Sequence, residues 1–115
     1  IREVVRAKGL PSAEEVNATS NGRWVTYVGI VICRQHPGTA GGVTFLTMED
    51  ETGFVNLVIW RRLYEEYRTV INTSPLLCVR GKLQSEDGTV HLIAEKFWRG
   101  EARLQKIGTQ SRDYR

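Results

Sequence analysis

Residues 24–34 read Trp24-Val25-Thr26-Tyr27-Val28-Gly29-Ile30-Val31-Ile32-Cys33-Arg34, a run of β-branched and aromatic side chains interrupted once, at Gly29. Such side chains fit a pleated, half-buried surface, so the run reads as one long strand. A glycine inside a strand permits the sharp coil of a barrel corner. The strand is therefore expected to bend at Gly29 and to pair in both halves of a closed barrel. An open five-stranded sheet with a helix on one face is the competing arrangement, but a flat sheet has no use for that glycine.

Downstream, His36-Pro37-Gly38-Thr39-Ala40-Gly41-Gly42 is a loop by composition. Val43 to Glu49 and Phe54 to Trp60 read as strands joined by the acidic turn Asp50-Glu51-Thr52-Gly53. Over residues 61–72 the period becomes helical: Leu63, Tyr67, Val70 and Ile71 share one face, while Arg61, Arg62, Glu65, Glu66 and Arg68 face water. Leu76 to Gln84 and Val90 to Trp98 return to strand character around Glu86-Asp87-Gly88. Upstream, residues 1–22 form a helical lead-in: Glu3 to Lys8 stops at Gly9, and a second turn opens with the capping-box pattern Ser12-Ala13-Glu14-Glu15. Residues 100–115 are polar and mixed in charge, as expected of a flexible tail. The plan is a lead-in over 1–22, a barrel over 23–99 and a tail over 100–115. Three meandering strands, a helix and a closing hairpin predict an all-β domain with one helix, a five-stranded Greek-key barrel of the oligonucleotide-binding (OB) type.

The 115 residues, 41% hydrophobic, suffice for one core and not two. Sixteen Lys and Arg against thirteen Asp and Glu leave a net charge of +3, which permits nucleic-acid binding without a dense basic run. Cys33 and Cys78 lie in apolar stretches with no CxxC spacing, so they are expected to be small buried thiols in a reducing setting rather than zinc ligands. No signal peptide opens the chain and no apolar run is long enough to span a bilayer, so a cytoplasmic location without membrane contact is expected. Ile1 in the first position, instead of Met, gives the expectation of a piece of a longer protein.

In an OB barrel the binding surface is the outer face of the second and third strands, flanked here by the loops at 35–42 and 86–89. Period-two alternation that buries Leu46 and Met48 turns Phe45, Thr47 and Glu49 outward. The same alternation buries Val55, Leu57 and Ile59 and turns Phe54, Asn56, Val58 and Trp60 outward, although Trp60, at its strand's end, is expected to fold under the helix at Leu63 and Tyr64. An exposed aromatic such as Phe45 can stack on an unpaired base for about 1–3 kcal/mol. The Asn56 amide can both donate to and accept from a base edge. A one-residue slip would instead put Phe45 in the core, and Asn56 can equally be an exposed polar residue without a role. Phosphates would meet Arg34, Gln35, His36 and Thr39 on the first loop and Lys82, Lys96 and Arg99 nearby, whereas the acidic Glu86-Asp87 loop repels them. The candidate nucleic-acid contacts are thus Arg34, Gln35, His36, Thr39, Phe45, Thr47, Asn56, Val58, Lys82, Lys96 and Arg99. Catalysis is not expected, nor a metal or cofactor: the carboxylates sit in turns and on the wet helix face, and His36 and His91 lack a neighbouring nucleophile.

Four stretches carry a narrower signal: Val28-Gly29-Ile30-Val31, Arg34-Gln35-His36-Pro37-Gly38-Thr39-Ala40, Phe45-Leu46-Thr47-Met48-Glu49-Asp50-Glu51-Thr52-Gly53 and Val79-Arg80-Gly81-Lys82-Leu83-Gln84. Together they resemble the C-terminal OB domain of bacterial error-prone DNA polymerases, damage-tolerant paralogues of the polymerase III alpha subunit. The stretch from Phe45 to Gly53 is common to OB domains of the anticodon-binding type, and the one from Arg34 to Ala40 is narrower. The ending Ser111-Arg112-Asp113-Tyr114-Arg115 looks like the terminal signature of those polymerases. The resemblance runs from Arg6 to Arg115. It implies a parent that extends DNA past lesions with catalytic carboxylates upstream of this piece, which itself contacts the single-stranded template. It also implies an aromatic that stacks, at Phe45, and an amide that reads a base, at Asn56, where similar domains carry the longer Gln. Departures are Arg61, where the family has proline, and a longer basic stretch after Trp98. The alternative is a protein-interaction module, with the tail from Ser111 to Arg115 docking on another subunit of a lesion-bypass assembly.

Overall fold

A strand that bends can serve two neighbours, and the structure, a computed structural model describing residues 9–36 and 42–103, shows this at Gly29. Strand β1 (Trp24–Gln35) pairs with β4 (Leu76–Glu86) through residues 24–30 and with β2 (Thr44–Asp50) through residues 30–35. Ile30 faces Leu76 on one side and Glu49 on the other. A Cβ at Gly29 would lie 2.7 Å from the ring of Tyr27, so the missing side chain is the space that the buried ring occupies. With β3 (Gly53–Ile59) and β5 (Thr89–Arg99) the barrel closes in the order β1-β2-β3-β5-β4. β3 and β5 run parallel, and the other pairs are antiparallel.

Alternation fills the interior as expected. Leu46 and Met48 of β2 and Val55, Leu57 and Ile59 of β3 meet Leu77, Val79 and Leu83 of β4 and Leu92, Ala94 and Phe97 of β5. Burial of each large aliphatic or aromatic side chain contributes about 1.5–3 kcal/mol. A second, smaller cluster lies on the outside of β1 and β4, where Val28 and Cys78 are covered by Leu10, Leu76 and Trp98.

Helix α1 (Ala13–Asn17) carries the expected capping box: the Ser12 hydroxyl accepts from the Glu15 N–H at 3.2 Å and the Glu15 carboxylate accepts from the Ser12 N–H at 2.8 Å. It is docked on the β2–β3 turn, since Asp50 accepts from the Ala13 N–H at 2.8 Å and the Asn17 amide donates to the Phe54 carbonyl at 2.7 Å. The helix expected over 61–72 is two short ones, α2 (Arg61–Glu66) and α3 (Arg68–Thr73). Tyr67 breaks them apart: its backbone leaves the helical region, at φ −110° and ψ 19°, while its ring packs edge-on against Phe97 at 5.7 Å. The apolar face survives the break, with Ile71 buried and Leu63, Tyr67 and Val70 against the core.

Two further expectations are corrected. Cys33 is exposed rather than buried, because the β1 bulge between Val31 and Cys33 turns it onto the outer face. Trp60 is 55% exposed, not folded under the helix: it is the single residue between β3 and α2, and Leu63 and Tyr64 are the side chains that pack against the core. Residues 100–103 are helical, and the Arg103 guanidinium sits over the Trp98 ring at 4.5 Å. The segment from Glu3 to Lys8 and the rest of the tail lie outside the described residues. Among those described, no helix is long and apolar enough to cross a membrane.

Candidate nucleic-acid interface

Strand register decides which side chains share the barrel's outer surface. Phe45 of β2 stands opposite Gln35 of β1 and Val58 of β3, and Thr47 stands opposite Cys33 and Asn56. Glu49 and Phe54 form the next pair. Phe45 is 40% exposed and Phe54 52%, so two aromatic faces reach solvent from one sheet surface. Between them the Thr47 hydroxyl donates to the Asn56 side-chain carbonyl at 3.3 Å. That bond orients the amide and leaves its NH₂ group as the donor turned to an incoming group. An aromatic beside an amide donor, on a surface free of bulky cover, suits an unpaired base.

The sequence-derived candidates divide into three groups. Gln35, Phe45, Thr47, Asn56 and Val58 share the face just described, and Lys82 joins its far side, because Val58 pairs with Ile93 and Ile93 with Lys82. Arg34 and His36 are near but engaged elsewhere. Arg34 is in register with the interior residue Leu46 and its Nε donates to the Ile71 carbonyl at 3.0 Å, fastening β1 to α3. His36 Nδ1 is 3.1 Å from the Thr44 hydroxyl, and its ring meets Tyr64 edge-on at 5.0 Å. Lys96 and Arg99 lie apart from Phe45: Lys96 is opposite Arg80, and Arg99 donates to the Thr73 hydroxyl at 2.9 Å and the Ser74 hydroxyl at 3.3 Å. Thr39 lies outside the described residues.

Sequence reasoning left out Phe54, Cys33, His91 and Ile93. The outward position of Phe54 was legible from alternation. His91 and Ile93 were not, since only the parallel pairing of β3 with β5 brings them beside the face. Asp50 supports the same surface from beneath. Burial opposes its ionisation, but the Thr52 hydroxyl at 2.6 Å and the Ala13 and Thr52 N–H groups, each at 2.8 Å, outweigh it and hold the carboxyl below its ordinary value. The buried Tyr27 hydroxyl lies beside it, outside hydrogen-bond geometry, and burial together with the Asp50, Glu49 and Glu51 carboxylates raises its pKa far above the usual tyrosine range. Among the described residues no group of three or more His, Cys, Asp or Glu is placed to hold a metal ion.

This barrel agrees with a sequence family described as the OB-fold nucleic acid binding domain of the tRNA anticodon type, which matches residues 24–99. The chain belongs to that family. Beyond the family, the OB-fold domain is 43% identical over 114 residues to the error-prone DNA polymerase of Pseudomonas savastanoi pv. phaseolicola, covering 99% of this chain and 11% of the relative. It is 42% identical over 95 residues to error-prone DNA polymerase 1 of Rhizobium meliloti, covering 83% of this chain and 8% of the relative. The chain thus spans about a tenth of the curated relatives it is similar to. Among solved structures, the asparaginyl-tRNA synthetase of Pyrococcus horikoshii complexed with asparaginyl-adenylate superposes with a TM-score of 0.64 at 21% identity, over 78% of this chain and 22% of that one. At that identity the likeness is one of fold.

Proposed function

We propose that the β2–β3 face of this OB-fold domain binds single-stranded DNA, as a non-catalytic module of an error-prone polymerase that copies damaged template. The observation that carries the reading is the exposure of Phe45 on the same face as the oriented Asn56 amide, with Thr47 between them. Phe45 stacks on a base, Asn56 donates to its edge, and Gln35 and Lys82 flank the path of the backbone. The identity to error-prone polymerases across nearly the whole chain supports placing the module in such an enzyme, whose nucleotide-adding chemistry would reside elsewhere.

A net charge of +3 limits how many phosphates can be neutralised, so stacking supplies much of the affinity and sequence preference is slight. Fluorescence anisotropy with an oligonucleotide at two salt concentrations tests this. Phe45→Ala is expected to cost about 1–3 kcal/mol of binding, more than any single Lys or Arg change, each of which lowers the salt slope by about one unit or less. Unchanged affinity in a folded Phe45→Ala variant would reject the β2–β3 face.

A further inference from the structure

The outer row through Phe45 does not stop at β3. Val58 pairs with Ile93, Ile93 with Lys82 and Lys82 with Trp24, so the row returns to β1 at its opposite end. Four strand spacings separate Phe45 from Trp24 by this route, about 19 Å of surface. Trp24 is 48% exposed, an unusual state for an indole on a strand, and it is not part of the cluster that covers the neighbouring Val28 and Cys78. Three cations project from the adjoining strands on the same outer surface. Lys82 is the cross-strand partner of Trp24, Arg80 stands opposite Thr26, and Lys96 stands opposite Arg80. The Arg80 guanidinium is held by the Thr26 hydroxyl at 3.2 Å and lies 5.5 Å from the indole centroid. Among the described residues no ion pair joins any of these three cations to a carboxylate, and Glu95, on the β5 bulge, adjoins Lys96 in sequence.

From this we infer a second contact for single-stranded nucleic acid on β1, β4 and β5, in which Trp24 stacks on an unpaired base and Arg80, Lys82 and Lys96 receive the adjoining phosphates. It rests on the proposed β2–β3 reading, and extends the strand's path over Ile93 to the barrel's other side. Charge decides the occupant. Unpaired cations on the strands beside an exposed aromatic complement a ligand that alternates anionic and flat aromatic groups, and a single strand offers both at each nucleotide. Arg80 already lines one flank of the indole, which keeps the ring's orientation before a base arrives.

The test uses the 115-residue chain and two oligothymidylates, one of about 4 nucleotides and one of about 12, within the site sizes that a single OB fold accommodates. Phe45→Ala is expected to weaken both. Trp24→Ala should weaken only the longer strand, by about fivefold or more, with Trp24→Phe retaining most of the affinity. Arg80→Gln with Lys96→Gln, which lie outside the β2–β3 face, should lower the salt slope for the longer strand by about one unit and leave the shorter unchanged. Circular dichroism confirms that each variant is folded. Normal long-strand affinity in Trp24→Ala, with Phe45→Ala impaired, overturns the second contact and leaves the β2–β3 reading standing. An equal loss for both lengths in Trp24→Ala also overturns it, since Trp24 would then be part of one compact site. Impairment in Trp24→Ala with none in Phe45→Ala upholds the Trp24 contact and rejects the β2–β3 face instead.

Discussion

The Thr47 hydroxyl donates to the side-chain carbonyl of Asn56 from the adjacent strand at 3.3 Å, so the amide on the outer face presents its NH₂ group and not its oxygen. On the proposed reading, the pair would offer a base edge a donor and would select for carbonyl or ring-nitrogen acceptors.

Asn56→Leu is expected to leave single-strand affinity largely intact, with a loss of about 1 kcal/mol or less, while flattening the difference between homopolymer sequences. Thr47→Val, which releases the amide to rotate, should flatten preference without much loss of affinity. Parallel titrations with oligothymidylate and oligodeoxyadenylate check both. A loss as large as that of Phe45→Ala would place the energetic centre on the amide instead.

The two cysteines should differ sharply in reactivity. Cys33 lies exposed on β1, opposite Thr47, whereas Cys78 is buried beneath Trp98, and burial pushes its thiol up to about 12. Thiolate is the reacting form, so an alkylating reagent at neutral pH should modify Cys33 alone. Bound single-stranded DNA should slow that modification. Peptide mass spectrometry, with and without oligonucleotide, reads both effects, and modification of Cys78 at a comparable rate would mean that its cover opens readily.

Acid should loosen the junction between α1 and the β2–β3 turn. The Asp50 carboxyl is held below its ordinary value, so it contributes stability above the unfolded carboxyl pKa, about 4, and that contribution is lost as pH falls through the lower folded value. Asp50→Asn is expected to lower the melting temperature at pH 7 and to remove this part of the decline under acid. Thermal melts from neutral pH downward compare the two slopes; parallel curves would show that other carboxylates govern the acid limit.

Gly81 permits a closer strand approach than any side chain would. A Cβ there would strike the Ile93 carbonyl oxygen and lie 3.1 Å from the Ala94 Cα, at the β4–β5 bulge. At Gly29 the obstacle is a side chain, the Tyr27 ring, rather than backbone. Gly81→Ala should therefore destabilise more than Gly29→Ala, and by at least the usual overpacking cost of about 1–3 kcal/mol. Urea denaturation of both variants gives the comparison, and the reverse order would mean that the bulge is softer than the corner.

The sequence by itself determined the strands, the bend at Gly29, the capping box at Ser12 and the outward direction of Phe45 and Asn56. Each depends on near neighbours along the chain: side-chain branching, turn chemistry and an alternation with period two. The break at Tyr67 was not legible, because the residue keeps its place on the apolar face while only its backbone departs from the helix. Exposure at Cys33 was not legible either, since a bulge suspends the alternation that would have placed it, whereas at Trp60 alternation pointed outward correctly and the expected fold under the helix did not form. Tertiary structure alone decided which charges share a surface with which aromatics. Arg34 adjoins Phe45 in sequence reasoning but is fastened to α3, while Lys82 and Arg80 come to Trp24 across more than fifty residues of chain. Closure of the barrel creates that proximity: the order β3-β5-β4-β1 follows from how strands seal their edges, which no local pattern of residues encodes.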